Sequence, residues 1–450
     1  MTGLQLMKDV FAHKPTERAP WVPFAGAHAG KLIGRSARET LSDVDILVKA
    51  LLEVNRMYRP DGQPVMFDLQ IEAEILGCKL VWAEDGPPSV ASHPLAETMA
   101  IPTHIPAETE GRIPLALEAM RRMKKAVGDT TALYGLVTGP FTLASHLRGT
   151  EFFMDMMTET DYAHSLLAYA NEVSMTVARY YAETGMDVIA VVDPLVSQIS
   201  PAHFAEFMKK PFAELFAAIK RAGAYSSFFV CGNATMNIEP MCLTKPDCIS
   251  VDENVNLAKA KAITDRYGVV IGGNLPLTTV MLLGNQQDNM KAVVDLMDTL
   301  TPGNWIAAPG CDMPYDTPIE NCVAAGQAVR EPEQARAMIA HYTAPDLKFE
   351  GALPDYKHLA KPLVEAFTLD SATCAACAYM LAAAVEAVKQ MDGAADLVEY
   401  KFTVKQNIAR CVAMGVKQLP SLYIDGELAY SSIIPPVEEL VGRIRERIKA

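Results

Sequence analysis

The sequence predicts an α/β chain in two parts, a parallel (β/α)8 barrel over residues 1–342 and a smaller α/β domain over residues 363–450. Three observations predict it. Short, continuously apolar runs alternate with helical segments as far as residue 330, as in a parallel sheet buried on both faces. Residues 343–362 (TAPDLKFEGALPDYKHLAKP) are Pro-rich, polar and aperiodic, which marks a linker. Beyond them the alternation restarts.

The apolar runs are eight, taken in order. Ala19–Ala25 (APWVPFA) follows a helical start, and Pro64–Asp68 (PVMFD) follows the helical segment Val44–Met57. Then come Ala132–Val137, Asp187–Asp193, Ser226–Cys231, Cys248–Asp252, Val269–Asn274 and Trp305–Gly310. Helical stretches such as Tyr162–Thr184, Pro201–Ala222 and Leu257–Tyr267 separate most of them, and Pro318–Arg330 supplies the closing helix. Eight such strands favour a closed barrel over a doubly wound open sheet, and no GxGxxG follows the first strand.

Bulk properties narrow the function. At 450 residues and 50% hydrophobic content, two domains with large cores are expected. A formal charge of −14 argues against nucleic acid and anionic membrane surfaces as partners. No apolar run is long enough to span a bilayer, and MTGLQLMKDVFAHKP lacks a signal peptide's apolar core, so a soluble cytoplasmic protein is expected. Nine cysteines, an odd number, point to thiol, metal or redox chemistry rather than a disulfide framework.

Two of those cysteines end strands. SSFFVCGN (226–233) stops at Cys231 and WIAAPG stops at Cys311, which puts both thiols at the barrel's C-terminal mouth, where chemistry sits. Two thiols facing one cavity make half of a soft metal site. Cys78, Cys242, Cys248, Cys322 and Cys411 read as buried apolar cysteines.

Several runs resemble one family. GLVTGPFTLASH (135–146), DVIAVVDPLVSQISPAHFAEFMKKPF (187–212), VCGNAT from Val230 and APGCD from Ala308 are similar to the uroporphyrinogen decarboxylase superfamily, and most of all to its corrinoid-dependent, methylcobamide:coenzyme M-type methyltransferase branch. The resemblance covers roughly residues 1–340 and implies a TIM barrel of uroporphyrinogen decarboxylase type. It implies methyl transfer between a corrinoid carried by a partner protein and a small methyl donor or acceptor. The decarboxylases carry an arginine-rich loop after the first strand to grip porphyrinogen carboxylates; here that loop is Phe24–Gly30 (FAGAHAG), without arginine. Their essential aspartate is matched by Asp68, and their substrate-binding tyrosine by His146. The resemblance thus makes Asp68 and His146 catalytic residues that orient the small substrate, with His28, Asp193 and Asn233 in the substrate site. The methyltransferases bind zinc through an HxC pair after the fifth strand and a cysteine after the eighth. Cys231 and Cys311 match the two cysteines, but Phe229 stands where the histidine belongs, so a third ligand would have to come from His28, His146 or Glu253. Decarboxylation is the alternative activity.

After the linker, strand Leu363–Leu369, helix Ala375–Gln390, strand Leu397–Phe402, helix Val404–Met414, strands Ser421–Ile424 and Glu427–Tyr430 and helix Pro436–Ile448 are expected. This order, with Cys374-Ala-Ala-Cys377 before the first helix and Pro420 just before a strand, resembles a thioredoxin-like fold. The resemblance implies a redox-active dithiol at Cys374 and Cys377 faced by Pro420. A thiol oxidoreductase and a non-catalytic binding module are the further alternatives.

Overall fold

A computed structural model describes residues 1–301, 303–343, 349–371 and 375–448. The chain divides into two compact units, one of residues 1–196 and 200–342, the other of residues 343–450 with 197–199.

The first unit is built on seven parallel strands that neighbour one another in chain order: Gly62–Met66, Ala132–Thr138, Val188–Val192, Tyr225–Val230, Cys248–Val251, Val270–Gly272 and Trp305–Ile306. Nearly every residue in them is buried, because helices cover one face and the sheet curls over the other. The neighbours Phe228 and Phe229 show why these strands read as unbroken apolar runs, since successive side chains point to opposite faces. Phe228 packs outward on the helix-borne rings of Phe212, at 4.2 Å, and Phe216, at 5.3 Å. Phe229 packs inward on Phe24, at 4.8 Å, and Phe67, at 6.0 Å.

The expected first strand, Ala19–Ala25, is not a regular strand. Pro20 and Pro23 have no N–H to give to a ladder. The segment still bridges the two ends of the sheet: Val22 N donates to Ala307 O at 2.9 Å, Ala307 N donates to Pro20 O at 2.9 Å, and Asp61 N donates to Trp21 O at 2.8 Å. The sheet is thereby drawn into a barrel-like ring. The second strand runs over Gly62–Met66 rather than 64–68, which leaves Phe67 and Asp68 beyond the ladder on the loop that follows it.

In the second unit a four-stranded sheet has the order Asp396–Lys401, Leu363–Thr368, Ser421–Ile424, Glu427–Ser431. The first pair is parallel and the other pairs antiparallel. Helices Ala375–Lys389, Lys405–Met414 and Val437–Arg445 follow the strand order read from the sequence. One ion pair is buried: Arg410 Nη2 donates to Glu365 Oε1 at 2.5 Å, and Tyr356 Oη donates to Glu365 Oε2 at 2.9 Å. The Leu419–Pro420 peptide is cis.

Candidate active site at the barrel mouth

The loops leaving the C-terminal ends of the strands carry a ring of acids: Asp68, Asp193, Asp252, Glu253 and Asp312. Each is held by its own donors. Asp68 Oδ1 accepts from Gln70 N at 2.8 Å, and Oδ2 is paired with Arg112, whose Nε also donates to Glu74 at 2.8 Å. Arg112 lies over the Trp82 ring, 4.8 Å from its centroid. Asp312 turns its carboxylate onto Gly26, whose N–H donates to it at 2.7 Å; a Cβ at Gly26 would meet both carboxylate oxygens at 2.7 Å, so only glycine fits. Burial pushes the Asp312 carboxyl up to about 7 against its hydrogen bonds from the Gly26, Ala27 and Met313 amides.

The loop after Tyr225–Val230 turns at once, through Gly232 at φ 95°, a conformation that glycine adopts without strain. Gly232 N donates to Asp252, which also receives Asn254 N at 2.9 Å. Asn274 fastens the Asp252 loop by donating from Nδ2 to Asp252 O at 2.7 Å and Val255 O at 2.8 Å. Glu253 Oε1 accepts from Leu277 N at 3.1 Å, while Oε2 is buried against Gly310 and accepts nothing among the described residues. Burial first, then the charge of Asp252, raises its carboxyl pKa.

Cys231 and Cys311 meet as the strand ends require, with Cα atoms 6.1 Å apart, and they are joined as a disulfide. Both lie half-buried against the core that fills the barrel. The other described cysteines, Cys78, Cys242, Cys248, Cys322, Cys377 and Cys411, are all buried.

Over residues 2–332 the sequence matches the uroporphyrinogen decarboxylase (URO-D) family. The chain belongs to this family. Among its relatives is the methylcobamide:CoM methyltransferase MtbA of Methanosarcina acetivorans, 29% identical over 57% of this chain and 76% of that protein. The methylcobamide:CoM methyltransferase MtaA of Methanosarcina barkeri is 27% identical over 65% of this chain and 86% of its own length. A uroporphyrinogen decarboxylase of Nostoc punctiforme is 26% identical over 64% and 82%. In structure the chain is similar to a methyltransferase from Methanosarcina mazei, with a TM-score of 0.67 and 23% identity, over 74% of this chain and 99% of that one.

Several of the expected site residues hold other partners in this structure. Both ring nitrogens of His28 are engaged, Nδ1 with Tyr315 O at 2.9 Å and Nε2 with the Tyr58 hydroxyl at 2.6 Å. Its burial lowers its pKa to about 4, so it is neutral. His146 is buried within helix Pro140–Arg148, and burial, helped by the nearby His93, lowers it to about 3. Asp193 caps that helix. Its Oδ2 accepts from Phe141 N at 2.9 Å, and its Oδ1 accepts from Thr142 N at 3.1 Å and Oγ1 at 2.6 Å, at the start of that same helix. Asn233 Oδ1 accepts from Thr235 N at 3.2 Å, a local turn bond. Asp68 lies on the loop after strand Gly62–Met66.

The zinc expectation fails on its donors. The two sulfurs are bonded to each other, and the ring of Phe229 fills the family histidine's place inside an aromatic cluster. His28 has no free nitrogen and His146 belongs to a helix interior. Among the described residues no three His, Cys, Asp or Glu side chains are grouped to share a metal ion. In this arrangement the residues do not fit zinc.

Three site residues were not legible in the sequence. Arg112 lies 44 positions from the aspartate it holds. Asp312 follows Cys311 but gives no periodic signal. Glu72, buried with its carboxyl pushed up to about 7 by burial, accepts from Thr138 N at 3.2 Å and Oγ1 at 3.0 Å. In the second unit Cys377 is buried near the start of helix Ala375–Lys389, and Leu369 N donates to its Sγ at 3.3 Å. Cys374 lies outside the described residues. Pro420 precedes strand Ser421–Ile424.

Proposed function

We propose that this chain is a methyltransferase of the corrinoid-dependent kind, exchanging a methyl group between a corrinoid protein and a small donor or acceptor. The observation that carries this reading is the acidic mouth. The loop Phe24–Gly30 has no arginine, Asp252, Glu253 and Asp312 line the mouth instead, and Arg112 is already committed to Asp68 and Glu74, so these residues do not supply the cations that a polycarboxylate needs. The similarity to MtbA and MtaA supports the same choice. A corrinoid, when presented by its partner, supplies the cobalt centre that carries the methyl group. The chain's own part is to bind and orient the small substrate. Asp68, buried and fixed by Arg112 and the Gln70 amide, acts on the substrate through its charge, and Asp312, half-buried and fixed by the amides around Gly26, offers a carboxyl group of set direction. With no donor set for zinc, activation of a thiol acceptor on a metal has no support, which favours a methylated substrate as donor. We further propose that the second unit is a thioredoxin-like dithiol domain; its sheet order and the placing of Cys377 support this.

The test is methyl transfer followed by the absorbance of the corrinoid, with cob(I)alamin and a panel of methylated amines, ethers and thiols, and in reverse with methylcobalamin and thiols. Turnover with at least one pair, lowered by Asp68→Asn, is expected. Conversion of uroporphyrinogen with no methyl transfer would overturn the reading.

A further inference from the structure

We infer that Cys231 and Cys311 are a reversible dithiol–disulfide centre at the barrel mouth, occupying the place where a metal site would otherwise be. Three observations carry this. The pair is linked, and these are the only described cysteines that are not buried, so a reductant can approach the sulfur that every other described thiol withholds. Their backbones are held independently of the S–S bond. Gly232 N is bound to Asp252, Gly26 N to Asp312 at 2.7 Å, and Met313 N to Phe24 O at 2.8 Å. After reduction the two thiols therefore stay within closing distance, the condition for a cycle rather than a one-way break. Finally, Phe229 leaves the thiolates without the imidazole that would commit them to zinc; its ring is buried and packs 4.8 Å from that of Phe24.

The reductant is a dithiol. Its thiolate attacks one sulfur of the pair, forming a mixed disulfide and releasing the other cysteine as a thiolate, which takes a proton. Its second thiol then attacks the mixed disulfide and frees the first cysteine. The pair gains two electrons and two protons, and the reductant leaves as a disulfide. A small disulfide such as oxidised glutathione reverses the exchange, its two halves leaving as thiols. This inference does not depend on the methyl-transfer reading, and its test needs no activity.

The test uses the full-length protein, purified without oxygen and equilibrated in dithiothreitol buffers of graded oxidised-to-reduced ratio. Each sample is quenched in acid, its thiols are alkylated, and peptide mapping by mass spectrometry scores every cysteine separately. Cys231 and Cys311 are expected to pass together from alkylated to linked at one ratio, reversibly and in the native protein. Cys78, Cys242 and Cys248 should remain thiols throughout. In Cys231→Ser, Cys311 should be alkylated at every ratio. Three results would each overturn the inference. One is a pair that stays as two free thiols even in excess oxidised dithiothreitol. Another is a pair that is linked but reducible only after unfolding, as a structural disulfide. The third is an anaerobic protein that holds one zinc per chain, shielding both thiols until a chelator removes it.

Discussion

Replacing Asp193 by asparagine tests the reading of this residue as a buried, proton-bearing cap. The parent carboxylate takes three hydrogen bonds, one on Oδ2 from Phe141 N and two on Oδ1 from Thr142. Asparagine has one acceptor oxygen, so an amide N–H must face an N–H donor, and the loss is about 1–3 kcal/mol. That is the deficit expected above about pH 7, where the parent carries the carboxylate, and it is larger at lower pH. Burial raises the carboxyl from 3.8 to about 7, so the folded state holds the proton more tightly than the unfolded chain. The parent's stability from this group is therefore present at low pH and is lost as pH rises through this window. Asparagine does not titrate. The difference between the two proteins should move in the variant's favour by about 1.4 kcal/mol per pH unit between about pH 5 and about pH 7, and then level off. All three tryptophans, Trp21, Trp82 and Trp305, lie within residues 1–342, so urea unfolding followed by tryptophan fluorescence reports the barrel alone. A pH-independent difference, or one that grows as pH rises, would refute the reasoning. So would a variant of parental stability whose only defect is a raised KM, since that is how a substrate ligand behaves.

Other perturbations are equally direct. Arg112→Ala leaves the Asp68 carboxylate buried without its partner and should cost about 3–5 kcal/mol in urea unfolding, with Arg112→Lys recovering part of it. Gly310→Ala drives a methyl group into Glu253 Oε2 and against the Asp252 backbone, and a stability loss of about 1–3 kcal/mol in urea unfolding is expected. Phe229→His returns an imidazole to the family position. It should destabilise the barrel by about 2–4 kcal/mol, yet after reduction and dialysis hold about one zinc per chain by elemental analysis, where the parent holds none. His28 is kept neutral, its pKa lowered from 6.5 to about 4, so its contribution is complete above about pH 6.5 and is lost as pH falls towards 4; His28→Gln should flatten that part of the melting-temperature profile.

The alternation of apolar runs with helical segments carried the barrel, because strands covered on both faces can hold few polar residues, and that constraint is local in sequence. The order of strands and helices after residue 362 was legible for the same reason. The proximity of Cys231 and Cys311 followed too, since each lies beyond the C-terminal end of a strand of one parallel sheet, and those ends converge at the mouth. What those thiols do there did not follow. Whether two sulfurs share a metal or a bond depends on the third and fourth donors, and those come from residues far away in the chain. His28 lay on the expected loop, but Tyr58 and Tyr315 had taken its two nitrogens; Asp193 ended the expected strand, but the helix beginning at Pro140 had taken both of its oxygens. Arg112 and Asp312 gave no warning, since a pairing across 44 or 286 residues leaves no periodic trace. Backbone placement follows from local patterns of burial, whereas the chemistry of a side chain follows from which neighbour uses its lone pairs, and only the tertiary structure decides that.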